Sequence, residues 1–222
     1  MCFTPQISFT IFAIEWILGF IVLYKSFKAK RKTAYELSAL LLFLLGFYQF
    51  TQYMLCTSLN YELWGKMGFL AYDFLPAIGF HFAYSLIGKT PRNMYLVYVL
   101  PTLFALIALL NPAFVSKAEC STVFIIVTHS WDRLLSALYG LYYTLFIVMT
   151  LLIYKGIGKM KSPRERKAAT IGFYGTIAFT LPTLILIILL PQLNIAFPSI
   201  YCEFALIFAI SVFYMIRALE SR

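Results

Sequence analysis

The chain has 222 residues, of which 62% are hydrophobic and 12% charged, and its formal net charge is +9. Its mean hydropathy is +0.84. A soluble domain of this length cannot bury so much apolar side chain, because a large share of any globule stays at its surface. The reading is an all-α integral membrane protein, long enough for about seven spans of ~20 residues each.

The apolar runs place these spans at residues 6–24, 34–56, 63–87, 93–111, 127–154, 167–189 and 197–217. They lack the period-2 alternation of barrel strands. The first follows Pro5 and carries Glu15 and Trp16. No basic residue precedes it and "KSFKAKRK" follows it, the reverse of a secretory leader. The second carries Gln49, Gln52 and Tyr53 in its outer half and ends at Cys56. The third contains "LAYDFLPAIGFHF", with Tyr72, Asp73, Pro76 and His81, shortly after Trp64. The fourth contains Pro101. The fifth begins in "HSWDR", which supplies His129, Trp131, Asp132 and Arg133. The sixth contains Pro182, and the seventh, after Pro198, carries Tyr201, Cys202 and Glu203. Prolines within spans predict kinks, and those at span starts (Pro5, Pro91, Pro163, Pro198) cost little there.

Counting Lys and Arg fixes an orientation. Fifteen lie in the gaps 25–33, 88–92 and 155–167 or the C-terminal tail, and three (Lys66, Lys117, Arg133) lie on the other side. That bias puts the N-terminus outside and the C-terminus in the cytoplasm of a multi-pass cell-membrane protein. It also makes the basic charge a property of inner loops, not a nucleic-acid face, and those loops suit anionic lipid as well.

Ionisable groups at membrane depth cost about 2.5–3.5 kcal/mol on insertion scales and persist where they face a bundle interior or a wet cavity. Asp73, Glu203 and Glu15, with Gln49, Gln52, Tyr72, His129, Trp131, Asp132 and Arg133, fall in the outer half and can converge on one outward-opening cavity. Carboxylates with aromatic faces suit a cationic or amine-bearing small molecule. The plainer alternative is an aromatic belt with interfacial ion pairs. His81 lies two turns deeper, as a candidate relay or a hydrogen-bonded core residue.

The cysteines (2, 56, 120 and 202) all fall near the outer side. A Cys56–Cys120 disulfide is one of the pairings open to them, with Cys2–Cys202 as a second. Four cysteines allow three complete pairings, and free thiols packed as small apolar residues are the alternative. Their spacing suggests no metal site, no cofactor is implied, and no motif pairs a nucleophile with a base, so the reading is not an enzyme. The last span has no Schiff-base lysine for retinal. Pro-Gln occurs at 5–6 and 191–192, but at span ends and without the matching repeat of PQ-loop sugar transporters.

Three stretches carry a resemblance. The second and third spans read "LLLFLLGFYQFTQYML…YELWGKMGFLAYDFLPAIGFHFAYSLIGK", with Trp64 after a short outer loop, Pro76 within the helix and His81–Phe82 before an inner loop. "KMKSPRERKAATIGFYG" is a basic inner loop leading into a helix. "LNIAFPSIYCEFALIFAISVFYMIRALESR" has an early Pro and an aromatic-Arg exit. Together these resemble the N-terminal seven-transmembrane sensor region of bacterial and archaeal histidine kinases, over nearly the whole chain. The resemblance implies a receptor that reads an outer ligand and passes a helix shift to a cytoplasmic output. In that family the last helix continues into a coiled coil and a catalytic domain. Here the sequence ends at Arg222, which reads as a module of a longer protein or as a stand-alone chain, even a homodimer, that needs a cytoplasmic partner. The rival readings are a small-solute or proton-coupled transporter, with Asp73, Glu203 and His81 as its relay, and a structural subunit whose polar groups only lock helices together.

Overall fold

A computed structural model describes residues 5–120, 125–130, 132–189 and 201–220. The elements run α1 (Pro5–Ser26), α2 (Lys32–Thr57), α3 (Tyr61–Asp73), α4 (Leu75–Ile87), a 3₁₀ turn (Met94–Tyr98) into α5 (Val99–Leu110), β1 (Val115–Cys120), β2 (Ile125–His129), α6 (Arg133–Ile153), a 3₁₀ turn (Tyr154–Lys159), α7 (Pro163–Leu189) and α8 (Tyr201–Glu220). α1, α2, the α3–α4 rod and α6 with its 3₁₀ extension are each long and apolar enough to cross a membrane, and Met94–Leu110 is a shorter apolar rod.

The kink expected at Pro76 is an interruption of the 63–87 rod at Phe74, two residues before Pro76, which takes the second position of α4. Pro76 has no N–H for the carbonyl four residues back, so a break there is expected. Apart from one short hairpin, the described residues bear out the helical reading. Residues 127–129, read as the start of the fifth span, belong to an antiparallel hairpin in which Val115 faces His129 and Cys120 faces Ile125. The helix of that span, α6, begins only at Arg133.

Close approach of the rods depends on small residues, as is usual between membrane helices. A Cβ on Gly46 of α2 would lie 2.6 Å from Cδ1 of Trp16, so the α1 indole occupies the space a side chain would need. The same indole donates Nε1–H to the Phe43 carbonyl at 3.2 Å. Gly175 plays the matching role where α7 meets Ser211 of α8. One apolar core joins α2, α4, α7 and α8 through Leu42, Leu45, Phe82, Phe208 and Met215. A second joins α3, α4, α5, α6 and the hairpin through Phe69, Phe104, Phe114, Tyr142 and Phe146.

The basic end is bolted by Arg31. Its Nε donates to Glu165 Oε1 at 2.9 Å and Nη2 lies 2.6 Å from Oε2, a two-point grip on the first turn of α7. Its Nη1 donates to the carbonyls of Leu86 at 2.7 Å and Ser85 at 3.3 Å. Those are among the last carbonyls of α4, which ends on Gly88 in the left-handed region at φ 73°. One guanidinium thus takes the Leu86 carbonyl, shares the Ser85 carbonyl with the Gly88 N–H at 3.2 Å, and pairs with an acid where the α7 dipole favours one. Lys25 and Glu220 tie α1 to α8 at 2.6 Å, in a more exposed setting.

Substituting Arg31→Met should therefore lower stability by about 1.5–3 kcal/mol, the range for hydrogen bonds to charged groups. Lys25→Met should cost only about 0.2–1 kcal/mol, as surface ion pairs do. Unfolding midpoints of the two variants in detergent check the order, and equal losses would refute the bolt.

Candidate functional site

Asp73 is the last residue of α3 and its side chain is 0% exposed. It owes this place to Pro76. The carbonyl that Pro76 cannot serve is that of Tyr72, and the hydroxyl of Tyr143 on α6 reaches it at 3.4 Å. The neighbouring Tyr142 hydroxyl donates to the Asp73 carbonyl at 2.8 Å. Two adjacent α6 tyrosines therefore take up backbone acceptors at the break, where hydrocarbon offers no water to do so. Tyr139 completes the set, within electrostatic reach of the carboxylate along with Tyr142 and Tyr143. Neither carboxylate oxygen of Asp73 has a hydrogen-bond partner among the described residues.

Glu15 is just as buried, at 0%, and neither of its oxygens has a partner among the described residues. It lies at the α1–α2 crossing, with its Cβ 3.3 Å from the position a Gly46 Cβ would take. Gln49, on the same helix as Gly46, is 0% exposed, and Gln52 is 3% exposed with its Oε1 unpartnered among the described residues.

The hairpin end holds a different arrangement. His129 stacks on Phe114, with ring centroids 4.5 Å apart and planes at 22°. Its Nε2 shares a hydrogen bond with the Tyr72 hydroxyl at 3.2 Å, so the hairpin is pinned to the residue beside Asp73. Burial pushes the His129 imidazole down to about 4. Asp132 caps α6, its Oδ1 accepting the Leu135 N–H at 2.7 Å. Such a cap is worth about 1 kcal/mol. Arg133 is exposed beside it.

The structure thus brings His129 to Tyr72, the chain neighbour of Asp73, and places Glu15 at the α1–α2 crossing. Asp132 works for its own helix. His81 is deeper and pairs its Nδ1 with the Tyr98 hydroxyl at 2.8 Å. Trp131 and the side chains of Glu203 and Cys120 lie outside the described residues, as does Cys2. Cys56 is disulfide-bonded, and its helix packs against β1, the strand that ends in Cys120. No group of three or more His, Cys, Asp or Glu among the described residues could hold a metal.

Below the break is a cavity of about 50 Å³, bounded by α2, α4, α6, α7 and α8. None of the sequence-derived site residues lines it. Leu75, Pro76 and Tyr143, which do, are the immediate neighbours of the Asp73 region. The α6 tyrosines and Arg31 are the functional candidates that sequence reasoning missed. The doublet Tyr142–Tyr143 opposite an intramembrane Pro was the available signal for the first. Compared with family models, curated proteins and solved structures, the chain matches none of them.

His129 yields a pH dependence. Above about pH 6.5 the ring is neutral whether folded or unfolded, and between about 6.5 and 4 only the unfolded chain takes up the proton. The contribution of His129 is complete above this window and shrinks as pH falls through it. In detergent, the wild-type thermal midpoint should drop relative to that of His129→Phe between pH 6.5 and 4. A constant difference across that range would show that the ring is not held neutral.

Proposed function

We propose that the protein is a seven-span receptor module of the cell membrane, N-terminus outside, which reads a small molecule and passes a change in helix packing to its basic cytoplasmic end. The observation that carries this reading is Asp73: a carboxylate with no exposure and no hydrogen-bond partner among the described residues, at the one break in the α3–α4 rod. A buried acid left in that state is costly for a purely structural element. A ligand that supplies an N–H donor or a positive charge completes it, and the surrounding tyrosines offer faces for a cation.

The break supplies the movable part. α4 is a 13-residue rigid piece between Asp73 and the Arg31 bolt. Ligand contact at its outer end would favour one packing of α4 against α6 and α7, provided that the ligand has different affinities for the two packings. The Arg31–Glu165 contact would then carry the shift to α7. The output would be a cytoplasmic partner, or a domain such as those that follow the sensor region of histidine kinases.

Thermal-shift measurements with amines and amino acids, on wild type and Asp73→Asn, test the reading. A ligand at a hundred times its Kd should stabilise wild type by about 2.7 kcal/mol, and the asparagine variant should lose most of that gain while still folding. An unchanged ligand shift in Asp73→Asn would remove Asp73 as the anchor. Uptake into proteoliposomes that depended on His81 would favour a transporter.

A further inference from the structure

The cavity below the break has a chemistry of its own. Its walls come from the middle of five helices and include Leu45, Gly79, Tyr143, Thr150, Thr176 and Phe208. About 50 Å³ is several times the ~10–15 Å³ that one water needs. Water would need two to four polar partners there, and the polar groups are already engaged. Thr150 donates its hydroxyl to the Phe146 carbonyl at 2.7 Å, Thr176 to Gly172 at 2.8 Å and Thr180 to Thr176 at 2.8 Å. Tyr154 meets the Thr176 oxygen at 3.2 Å, and Tyr143 is directed to the Tyr72 carbonyl. The threonines thus spend their donors within their own helix and leave methyl groups as wall. Gly79 adds a second observation: a Cβ there would meet nothing within 4 Å. The α4 backbone is therefore bare on a side that a side chain could fill.

We infer that this cavity is a binding site for a hydrocarbon chain, taking roughly the volume of a few methylene groups, supplied by a lipid acyl chain of the bilayer or by a free single-chain amphiphile. The inference rests neither on Asp73 nor on the receptor reading. It asks its ligand for shape and apolarity and for no hydrogen bond.

The test uses the full chain in phosphatidylcholine nanodiscs. One arm carries a phosphatidylcholine with a photoreactive diazirine midway along an acyl chain, and the other carries the same diazirine on a free fatty acid. Mass spectrometry maps the label after irradiation. In wild type, label should appear on peptides containing Gly79, Thr150 and Thr176. Gly79→Leu, which fills the space, should lower it at least tenfold, whereas Thr150→Val, which keeps the shape, and Asp73→Asn should leave it within twofold. Label in the first arm identifies a bilayer lipid as the occupant and label in the second a free amphiphile, and either supports the site. Absence of label from the lining peptides of folded wild type in both arms overturns the inference. So does label that survives in Gly79→Leu at an unchanged thermal midpoint, or that is lost equally in Thr150→Val. Should Gly79→Leu fail to fold, the wild-type map and a graded loss in Gly79→Ala decide.

Discussion

Within a bilayer a backbone carbonyl has no water to turn to, and that constraint organises this molecule at both ends of α4. At its first turn Pro76 withholds an N–H from the Tyr72 carbonyl, and the hydroxyls of Tyr143 and Tyr142 reach the carbonyls of Tyr72 and Asp73. At its last turn the helix runs out at Gly88, and Arg31 takes the Leu86 carbonyl and shares that of Ser85 with the Gly88 N–H. Both solutions recruit side chains from elsewhere in the sequence, 69 and 71 residues ahead in one case and 54 and 55 behind in the other. Each therefore also fixes which helices are neighbours. Satisfying one short helix ties α4 to α6 above, and to the α1–α2 loop and α7 below.

The sequence shows those parts of the fold that depend on one stretch of chain at a time. The helical rods are visible because long apolar runs between basic gaps have few other solutions in lipid. The Pro76 break is visible because the ring acts on its own helix. The hairpin is not. "IIVTH" is a short apolar run with β-branched residues, directly followed by the long apolar helix from Arg133, and periodicity cannot separate a short strand from the end of a helix. Asp132 was readable as a cap, since it stands immediately before an apolar helical run. Its placement near other polar residues made a ligand role look equally natural. The Arg31–Glu165 grip has no local signature, because its partners are 134 residues apart.

The candidate site divides in the same way. That an acid at membrane depth should be buried and special followed from the cost of placing it there, and Asp73 and Glu15 are both fully buried. Shared depth alone does not bring two such residues into one hollow. Residues at similar depth on different helices meet only if their faces turn toward each other, and helix rotation is set by packing. Glu15 is turned to the α1–α2 crossing, where Gly46 makes room for Trp16. Asp73 is turned to the tyrosines of α6. Depth is a one-dimensional quantity, and a site needs the other two dimensions.

One rod therefore separates two chemistries. Above Pro76 lies a carboxylate among phenols, which asks for a donor or a charge. Below it lies a hollow of methyl and phenyl groups, which asks for neither. Both touch α4 or its break, and Tyr143 touches both, with its hydroxyl on the Tyr72 carbonyl and its ring in the cavity wall. A change at either place that moved Tyr143 would alter how firmly the break is held. Because interiors repack between discrete arrangements and do not yield continuously, two such inputs would select among the same few packings. An occupant of the apolar hollow would then set how readily the acid above it is answered, with the Arg31 bolt feeling only their combined effect.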